Sequence, residues 1–516
     1  MRASDAQEFR DAMDIEINTL ANMKVWSVVL RSVANSHIVP ATWTFRRKRF
    51  PDGCIKKHKA RFCIRGDLQE DMGDTYAPVV SWISVRIMLY FALIFGFETR
   101  SVDYDSAFAQ AELPTPIWIE FPLGFTSTEG DKSTHCLQLH KLLYGTTIAP
   151  MLWNLKLTKG LQSRGYRVSA FDPCLFIKGN ILIACFVDDC VFCSPSAEIN
   201  EREINSLRQD FDLTDEGDLS AFLGVSIFHN RKENTYTFTQ AGLIDCIIDA
   251  TGLETASSNF VPAVPQALGT DPDGPPYQQH WEYASVVGML MFLANNSRPD
   301  IAFATHQCAR FTHKTKQSHA TAVKTIVRYL KGTRTKGLIF SPQPHLALDC
   351  FVDADFAGLW GVESPDDPIC AKSRTGYVIM LCGCPLLWKS QLQTLVSLST
   401  MEAEYIALST SMRDLVPLRQ LVEEIAIAID ATERLVVRTH STVFEDNNGA
   451  LALANLPRLT PRSKHIAVRM HWFREHVRSG QIHVVKVDTK AQIADIFTKG
   501  LTREAFERIH HLLMGW

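Results

Sequence analysis

The stretch Ile181-Leu182-Ile183-Ala184-Cys185-Phe186-Val187-Asp188-Asp189-Cys190-Val191-Phe192 places two adjacent carboxylates inside an apolar run. Such an apolar run predicts a buried strand or hairpin. Neighbouring carboxylates repel each other, and burying them without compensation costs several kcal/mol. A divalent cation such as Mg²⁺, which prefers oxygen ligands, would remove that cost. The alternative is that Asp188 and Asp189 form the exposed polar tip of a β-hairpin and have no further role.

The length and composition of the chain limit the number of domains and the kind of protein that it can be. A chain of 516 residues exceeds what one hydrophobic core holds, so we expect about two to four domains. Hydrophobic residues make up 46% and charged residues 21%, which is typical of soluble globular proteins. No apolar stretch reaches the roughly 18 residues that cross a bilayer, and the N-terminus lacks the apolar core of a secretory signal. The 13 scattered cysteines predict reduced thiols in a cytosolic or nuclear protein.

Positive charge is concentrated in two stretches although the net charge is -3. Residues 40–66 predict a β-hairpin with its turn at Pro51-Asp52-Gly53. We hypothesise that both basic stretches contact a polyanion, and the alternative is a solvated charged face. The basic residues are, first, Arg46, Arg47, Lys48, Arg49, Lys56, Lys57, Lys59, Arg61 and Arg65, and second, Arg458, Arg462, Lys464, Arg469, Arg474 and Arg478.

Two linker signals divide the chain. Residues 262–277 are rich in Pro, Gly and Asp, and Ser341-Pro342-Gln343-Pro344 marks a second boundary. Residues 1–35 predict an amphipathic helix that leads to Trp26, followed by a short linker. From residue 346 onward, strands are followed by helix, strand and helix, which indicates an α/β domain.

A third aspartate, Asp103, has a similar setting to Asp188 and Asp189. Asp103 ends an apolar-flanked strand, and Ala107-Phe108 follow it. An aspartate in that position most often caps a turn. Together with Asp188 and Asp189, however, it could hold two Mg²⁺ ions about 3.5–4 Å apart, one activating an attacking 3′-hydroxyl and the other stabilising a leaving pyrophosphate.

Further motifs surround these three aspartates. They are Lys59-Ala60-Arg61 with Arg65-Gly66, Tyr76-Ala77-Pro78-Val79-Val80, Leu143-Tyr144-Gly145 with Ala149-Pro150 and Trp153, and Phe222-Leu223-Gly224. In this order they resemble the Pol polyprotein of Ty1/copia-type retrotransposons, in the segment that carries reverse transcriptase and ribonuclease H. The resemblance runs from about Trp26 to the C-terminus.

The resemblance implies an α+β right-hand polymerase with fingers, palm and thumb, followed by an α/β ribonuclease H-like domain. It implies four parts: a lead-in helix at 1–35, fingers and palm at 36–240, thumb or connection at 241–345, and the ribonuclease H-like domain at 346–516. The implied cofactor is Mg²⁺ or Mn²⁺, two ions per active site. The implied partners are an RNA template, a DNA primer, RNA–DNA hybrids, deoxynucleoside triphosphates and other Pol or Gag products, without a membrane. The implied location is a cytoplasmic virus-like particle or the nucleus.

The resemblance also assigns roles in the polymerase part. Asp103 and Asp188 bind metal, and Asp189 lies beside them. The remaining roles are triphosphate binding by Lys59 and Arg61, exclusion of a ribose 2′-hydroxyl by Phe108, close backbone approach near the nucleotide at Gly145, and a grip on the primer end by Phe222, Leu223 and Gly224. For Phe108 the alternative is a core aromatic.

Two departures from the family pattern lower the activity that we expect. Thr146-Thr147-Ile148 stands where the family has Leu-Lys-Gln, and Met151 stands where it has a basic residue. The alternative to an active polymerase is therefore a catalytically impaired, nucleic-acid-binding remnant of a transposon. The protease, the integrase and the zinc knuckle of a complete element are not in this sequence, so we expect a processed product, a fragment or a decaying copy.

A second set of acids lies in the C-terminal part, in strand, helix, strand, helix order. The residues Asp353, Glu404, Asp446 and Asp495 resemble the Asp-Glu-Asp-Asp set of ribonuclease H, which binds two Mg²⁺ ions and cuts RNA in an RNA–DNA hybrid. Glu402 is the alternative to Glu404. Asp353-Ala354-Asp355 taken alone would also suit a phosphoryl-transfer aspartate of the dehalogenase-like type, which the polymerase motifs disfavour.

Overall fold

The computed structural model describes residues 5–49, 55–71, 73–343, 347–431, 440–456, 466 and 468–516. Helices α1 to α12 are Ala6–Asn22, Trp82–Phe95, Ala149–Gln162, Ala197–Leu207, Ala241–Thr251, Tyr283–Asn296, Ala302–Ala309, Gln317–Gly332, Thr400–Ala428, Asn448–Asn455, Arg474–Arg478 and Arg503–Met514. Strands β1 to β20 are Trp26–Leu30, Ala41–Arg49, Ile55–Ile64, Glu98–Tyr104, Glu112–Ile119, His135–Lys141, Arg167–Val168, Leu175–Lys178, Ile181–Phe186, Asp189–Ser194, Leu213–Asp218, Ala221–Phe222, Val225–Asn230, Thr235–Thr239, Leu338–Phe340, Leu348–Asp355, Lys372–Leu381, Cys384–Val396, Ser441–Glu445 and Ile482–Lys486.

The chain forms two compact units. The first unit comprises Met1–Ser81 and Glu98–Leu219, and the second comprises Trp82–Phe97 and Ser220–Trp516. Helix α2 therefore belongs to the second unit, although the sequence on both sides of it belongs to the first. The four-part division stays a prediction. Among the described helices, none is long and apolar enough to cross a membrane.

The first unit is built around a six-stranded antiparallel sheet in the order β11-β4-β10-β9-β8-β7. The apolar run around Asp188 and Asp189 forms the β9–β10 hairpin of this sheet, as predicted. One face of the sheet packs on a core that includes Ile183, Phe192 and the fully buried indole of Trp153. The predicted linker after α1 is instead strand β1, which pairs with β6 and so extends a second, three-stranded sheet.

A two-stranded ribbon, β2–β3, carries the first basic stretch. Its register pairs Arg46 with Lys59 and Arg47 with His58, and because side chains alternate between the two faces of a strand, Arg46, Lys59 and Arg61 share one face. The other face packs on α1, where Phe9 lies edge-on to the rings of Phe45 and His58. The turn predicted at residues 51–53 lies outside the described residues.

The second unit contains a four-stranded sheet, β12-β13-β14-β15, and a five-stranded sheet, β18-β17-β16-β19-β20. In the larger sheet β16, β19 and β20 are parallel, whereas β17 and β18 run antiparallel to β16. Helix α9 packs on this sheet. The predicted strand, helix, strand, helix order from residue 346 is present as β16–β18, α9, β19 and α10, and α11, β20 and α12 follow these elements.

Arg86 ties α2 into the second unit. The Arg86 guanidinium is buried and donates to the carbonyls of Leu386 at 2.8 Å, Asn295 at 2.9 Å and Asn296 at 3.0 Å. It also lies 4.3 Å from the centre of the Trp388 ring. The last carbonyls of a helix lack partners within that helix, so Arg86 satisfies two such groups at the end of α6. Burial lowers the pKa of Arg86 to about 10.

We expect Arg86→Met to destabilise the second unit strongly. Methionine keeps an apolar stem but leaves three carbonyls without their donor, at about 1–3 kcal/mol for each buried unsatisfied group. The measurement is the urea concentration at the unfolding midpoint. Arg10→Met, on the exposed side of α1, is the control and should change stability by less than about 0.5 kcal/mol. Equal midpoints for the two variants would contradict this account of Arg86.

Candidate active sites

The three predicted aspartates of the polymerase part lie at one end of the β9–β10 hairpin. Asp103 in β4 is the direct cross-strand partner of Asp189 in β10, and Asp188 occupies the hairpin turn. Directly opposed residues have Cβ atoms about 4.5–5.5 Å apart, and like charges in that position repel. All three residues are half-buried. The backbone therefore gathers three acids where a cation would be stabilising.

The turn that carries Asp188 is strained and firmly held. Val187 has φ of +55°, which costs a β-branched residue on the order of 1–3 kcal/mol. Two hydrogen bonds fix this geometry: the Trp153 indole donates to the Val187 carbonyl at 2.7 Å, and the Tyr104 amide donates to the Asp188 carbonyl at 2.9 Å. Trp153 was quoted in the sequence as part of a motif without a role, and the structure makes it a positioning residue for the turn.

A chain of stacked side chains links two predicted nucleotide-binding residues. The Arg61 guanidinium lies 4.9 Å from the centre of the Tyr144 ring, and that ring meets Phe108 edge-on at 5.2 Å. Burial raises the pKa of Tyr144 to about 12, the Arg61 charge opposes the shift, and the Asp188 charge adds to it. The Tyr144 hydroxyl is thus within electrostatic range of Asp188. The Phe108 ring also packs against the sheet core, as its alternative interpretation requires, and its role as a gate stays a prediction.

Gly145 permits a close approach between two segments of this chain. It has φ of +90°, and a Cβ there would lie 2.2 Å from the Ile64 carbonyl oxygen. The Ile64 amide donates to the Tyr144 carbonyl at 2.9 Å and so joins this segment to the end of β3. At the departure from the family pattern, Thr146 and Ile148 are buried in the first unit. The approach of Gly145 to a nucleotide stays a prediction.

The predicted primer-contact residues form a tight turn in the second unit. Leu223 and Gly224 have φ of +47° and +80° and connect β12 to β13 as a two-residue hairpin loop. Phe222 is buried edge-on against Trp82 at 5.8 Å. These residues and the three aspartates of the hairpin belong to different units.

The second set of acids is assembled by parallel strands. Asp353 lies near the C-terminal end of β16, and Asp446 directly follows the neighbouring parallel strand β19, so both reach the same edge of the sheet. Helix α9 packs against β16 and brings Glu404 to the same place. One ligand oxygen from each of Asp353, Glu404 and Asp446 lies within 4.8 Å of the others. Such a group of oxygens matches the ligands of hard divalent cations.

Burial makes this group costly without a cation. Asp353 and Glu404 are 3% and 4% exposed, and the Glu404 Oε2 atom is buried without a hydrogen-bond partner among the described residues. Burial raises the pKa of Glu404 to about 11, and the charges of Asp353, Glu445 and Asp446 add to the shift. A buried carboxylate oxygen without a donor fits a metal ligand, so the residues present suit the divalent ions that the resemblance implies.

Asp495 completes the set from a 3₁₀ turn, Ile493–Phe497, and not from the regular helix that the sequence indicated. Its Oδ1 atom lies 2.8 Å from Lys499 Nζ, which is also 3.8 Å from Asp353 Oδ2. The Thr498 hydroxyl donates to Asp353. Burial raises the pKa of Asp495 to about 7, with the Asp353 charge adding to the shift and Lys499 opposing it. The sequence did not lead us to predict a role for Lys499, although its i,i+4 spacing from Asp495 indicates an ion pair.

The two candidate glutamates have different roles. The Glu402 Oε2 atom accepts from the Leu398 amide at 2.8 Å, and the Glu402 amide donates to Ser399 Oγ at 3.2 Å. Both hydrogen bonds cap the start of α9. Glu404 faces the acid cluster. Glu445, which the sequence analysis left without a role, is fully buried beside the cluster, and burial raises its pKa to about 8.

The second basic stretch does not form the polyanion surface that was hypothesised for all its members. Arg474 is buried and donates to the Leu456 carbonyl, so it cannot contact a polyanion. Arg458, Arg462 and Lys464 lie outside the described residues.

Comparisons with known proteins agree with the motif analysis. Residues 23–265 match the family model described as reverse transcriptase (RNA-dependent DNA polymerase), which implies a right-hand polymerase fold. The chain is 30% identical over 98% of its length to the Pol polyprotein of transposon RE1 from Arabidopsis thaliana, and covers 34% of that protein. It is 30% identical over 91% of its length to the Pol polyprotein of transposon TNT 1-94 from Nicotiana tabacum, and covers 35% of it. It is 24% identical over 98% of its length to the transposon Ty1-NL1 Gag-Pol polyprotein from Saccharomyces cerevisiae, and covers 29% of it.

The chain spans about a third of the length of the curated relatives it matches. The predicted resemblance to copia-type Pol is confirmed by these matches.

We expect Trp153→Phe to destabilise the hairpin turn. Phenylalanine keeps most of the apolar packing, but the Val187 carbonyl loses its donor, at a cost of about 1–3 kcal/mol. The free energy of unfolding from urea titration measures the effect. Trp360→Phe, at a side chain that is 65% exposed, is the matched control and should be nearly neutral. A neutral result for Trp153→Phe would mean that the indole does not hold the turn.

We expect the metal-free second unit to lose stability as pH rises from about 5 to 8. The pKa values of Asp495, Glu445 and Glu404 are raised to about 7, 8 and 11, so the folded chain binds protons that the unfolded chain releases. Each such group can contribute a slope of up to about 1.4 kcal/mol per pH unit. Melting temperatures at pH 6 and pH 8 in a chelator test this. The double variant Asp495→Asn, Glu404→Gln should depend less on pH. A wild-type melting temperature that rises from pH 6 to pH 8 would refute the predicted loss of stability with rising pH.

Proposed function

We propose that this chain, which belongs to the copia-type retrotransposon Pol family, is an RNA-directed DNA polymerase that copies element RNA into DNA. The observation that carries the proposal is the pairing of Asp103 with Asp189 beside the constrained turn at Asp188. The reverse transcriptase match over residues 23–265 supports the proposal.

In the proposed reaction, Asp103 and Asp188 would hold the divalent ions, with Asp189 next to them. When bound, two such ions supply hydroxyl activation and neutralisation of the leaving pyrophosphate. Arg61 presents a planar fork of donors to triphosphate oxygens and Lys59 a point charge. Trp153 and Tyr104 hold the turn, so the Asp188 carboxylate need not reorganise when substrate binds.

We further propose that the part from residue 346 onward is a ribonuclease H that cuts RNA in RNA–DNA hybrids. The support is the group formed by Asp353, Glu404 and Asp446, with the unpartnered Oε2 atom of Glu404 and with Asp495 beside Asp353. We propose the cytoplasmic particle of the element as its location, with the RNA template, DNA primer and other Pol and Gag products as its partners.

A catalytically impaired remnant is the second candidate. The observation that favours it is the Thr146-Thr147-Ile148 segment, where the lysine and glutamine of the family pattern are replaced. Thr146 and Ile148 are buried, and the Thr147 amide is directed to Gln69 Oε1 at 3.3 Å. This segment thus offers no cationic side chain to a nucleotide.

Primer extension and hybrid cleavage test both sites in one preparation. We expect the wild-type chain to extend a DNA primer on RNA with Mg²⁺ or Mn²⁺, and Asp188→Asn to lower extension at least about 100-fold because a metal ligand is lost. Asp446→Asn should lower hybrid cleavage by a similar factor and leave extension intact.

Exposed acids supply the controls for these variants. Asp14→Asn in the first unit and Asp366→Asn in the second should leave both activities unchanged. Robust extension by Asp188→Asn would refute the polymerase site. A wild-type chain that cleaves hybrids and binds primer–template but does not extend it would favour the remnant.

A further inference from the structure

Asp353 belongs to two groups of charged side chains. It shares the acid cluster with Glu404 and Asp446, and within the described part of the chain neither of these two acids forms an ion pair at contact distance. Asp353 also lies near Lys499, whose Nζ atom is 2.8 Å from Asp495 Oδ1 and 3.8 Å from Asp353 Oδ2. The acid cluster therefore already has a cation next to it, in contact with Asp495.

The fold holds Lys499 in this position. The Lys499 amide donates to the Asp495 carbonyl at 3.3 Å, and the Thr498 hydroxyl donates to Asp353. The register partner of Asp353 in β17 is Gly376, where a Cβ would lie only 2.6 Å from Thr498 Cγ2. A glycine at this one position therefore lets the turn with Thr498 and Lys499 come close to Asp353.

The Lys499 side chain can also move away from Asp495 and Asp353 into solvent. It is 43% exposed, and it ends in a compact ammonium on a flexible four-carbon stem. Asp495 and Asp353 are 7% and 3% exposed, so they cannot reach solvent in the same way. If a divalent ion came between these two acids, the lysine could move outward while the acids stayed in place.

We propose that Lys499 is a built-in cation that competes with one of the two divalent ions of the proposed nuclease site. The first ion binds at Asp353, Glu404 and Asp446. A second ion binds between Asp353 and Asp495 only when the Lys499 ammonium moves out, so the site fills in two steps of unequal affinity. This inference rests on the proposed nuclease function, because it assumes that the site takes divalent ions.

Lys499 would have two effects of opposite sign. In the metal-free protein, its ammonium neutralises part of the charge between two buried carboxylates and stabilises the fold. In the presence of metal, the ion pair must break before Asp495 can become a ligand, and this weakens the second step. Removing the charge should therefore lower metal-free stability and raise the affinity of the second step.

Mn²⁺ titration calorimetry of the full chain tests the proposal, in an Asp188→Asn background that weakens binding at the polymerase site. We expect two steps that differ at least about 10-fold in affinity. Lys499→Met should strengthen the weaker step by about 10-fold, change the stronger step by less than about twofold, and lower the metal-free melting temperature by several degrees. Lys499→Arg should keep two unequal steps. Lys490→Met, at an exposed lysine of the same segment, is the matched control and should behave as the parent.

Failure of the inference and failure of the proposed nuclease function give different results. If the parent binds Mn²⁺ in two steps and Lys499→Met leaves both affinities unchanged or weakens the second, the competition is refuted. If Asp446→Asn has the same titration as the parent, the proposed nuclease metal site itself is wrong.

Discussion

Repulsion between carboxylates held close together is the constraint on which both candidate sites depend. In the first unit it acts between Asp103 and Asp189, which are direct partners across two strands. In the second it acts among Asp353, Glu404 and Asp446, whose ligand atoms lie within 4.8 Å of one another. Without bound metal ions, the packing of the surrounding strands must offset this repulsion. The two units achieve this in different ways.

The two units position their acids by different means. The first uses an antiparallel hairpin, in which pairing alone sets the two strands in register and leaves only the turn to be fixed. A strained residue, Val187, occupies that turn, and the buried indole of Trp153 keeps it there. The second uses parallel strands, whose carboxyl ends meet at one edge of the sheet, so Asp353 and Asp446 come together without a turn between them.

Local patterns in the sequence predicted the features that depend on neighbouring residues. The apolar run around Asp188 and Asp189 predicted their hairpin, and the spacing of Ser399 and Glu402 was a usable signal for a helix cap. Glu404 could have been chosen on that ground, because a glutamate that caps a helix is not free to be a ligand.

The features that the sequence did not reveal depend on long-range contacts. Arg86 reaches the carbonyl of Leu386, three hundred positions away, and no local pattern indicates such a partner. The hydrogen bond between Trp153 and Val187 could not be predicted either, because each residue lies in an ordinary apolar segment and nothing nearby in the sequence indicates the other. Strand β1 was missed because its partner β6 begins more than a hundred residues later, at His135.

Exposure determines how each site can manage its charge. The aspartates of the hairpin are half-buried, so water reduces their mutual repulsion. Asp353, Glu404 and Asp495 are at most 7% exposed, and water cannot do the same for them. A low-dielectric group of acids is stabilised by bound protons or by a positive charge, and Lys499 is a cation that the fold places beside it. An internal cation that stabilises the metal-free fold must be displaced before a second divalent ion can bind. A stronger ion pair at Lys499 therefore raises the stability of the metal-free protein and lowers the affinity for the second ion.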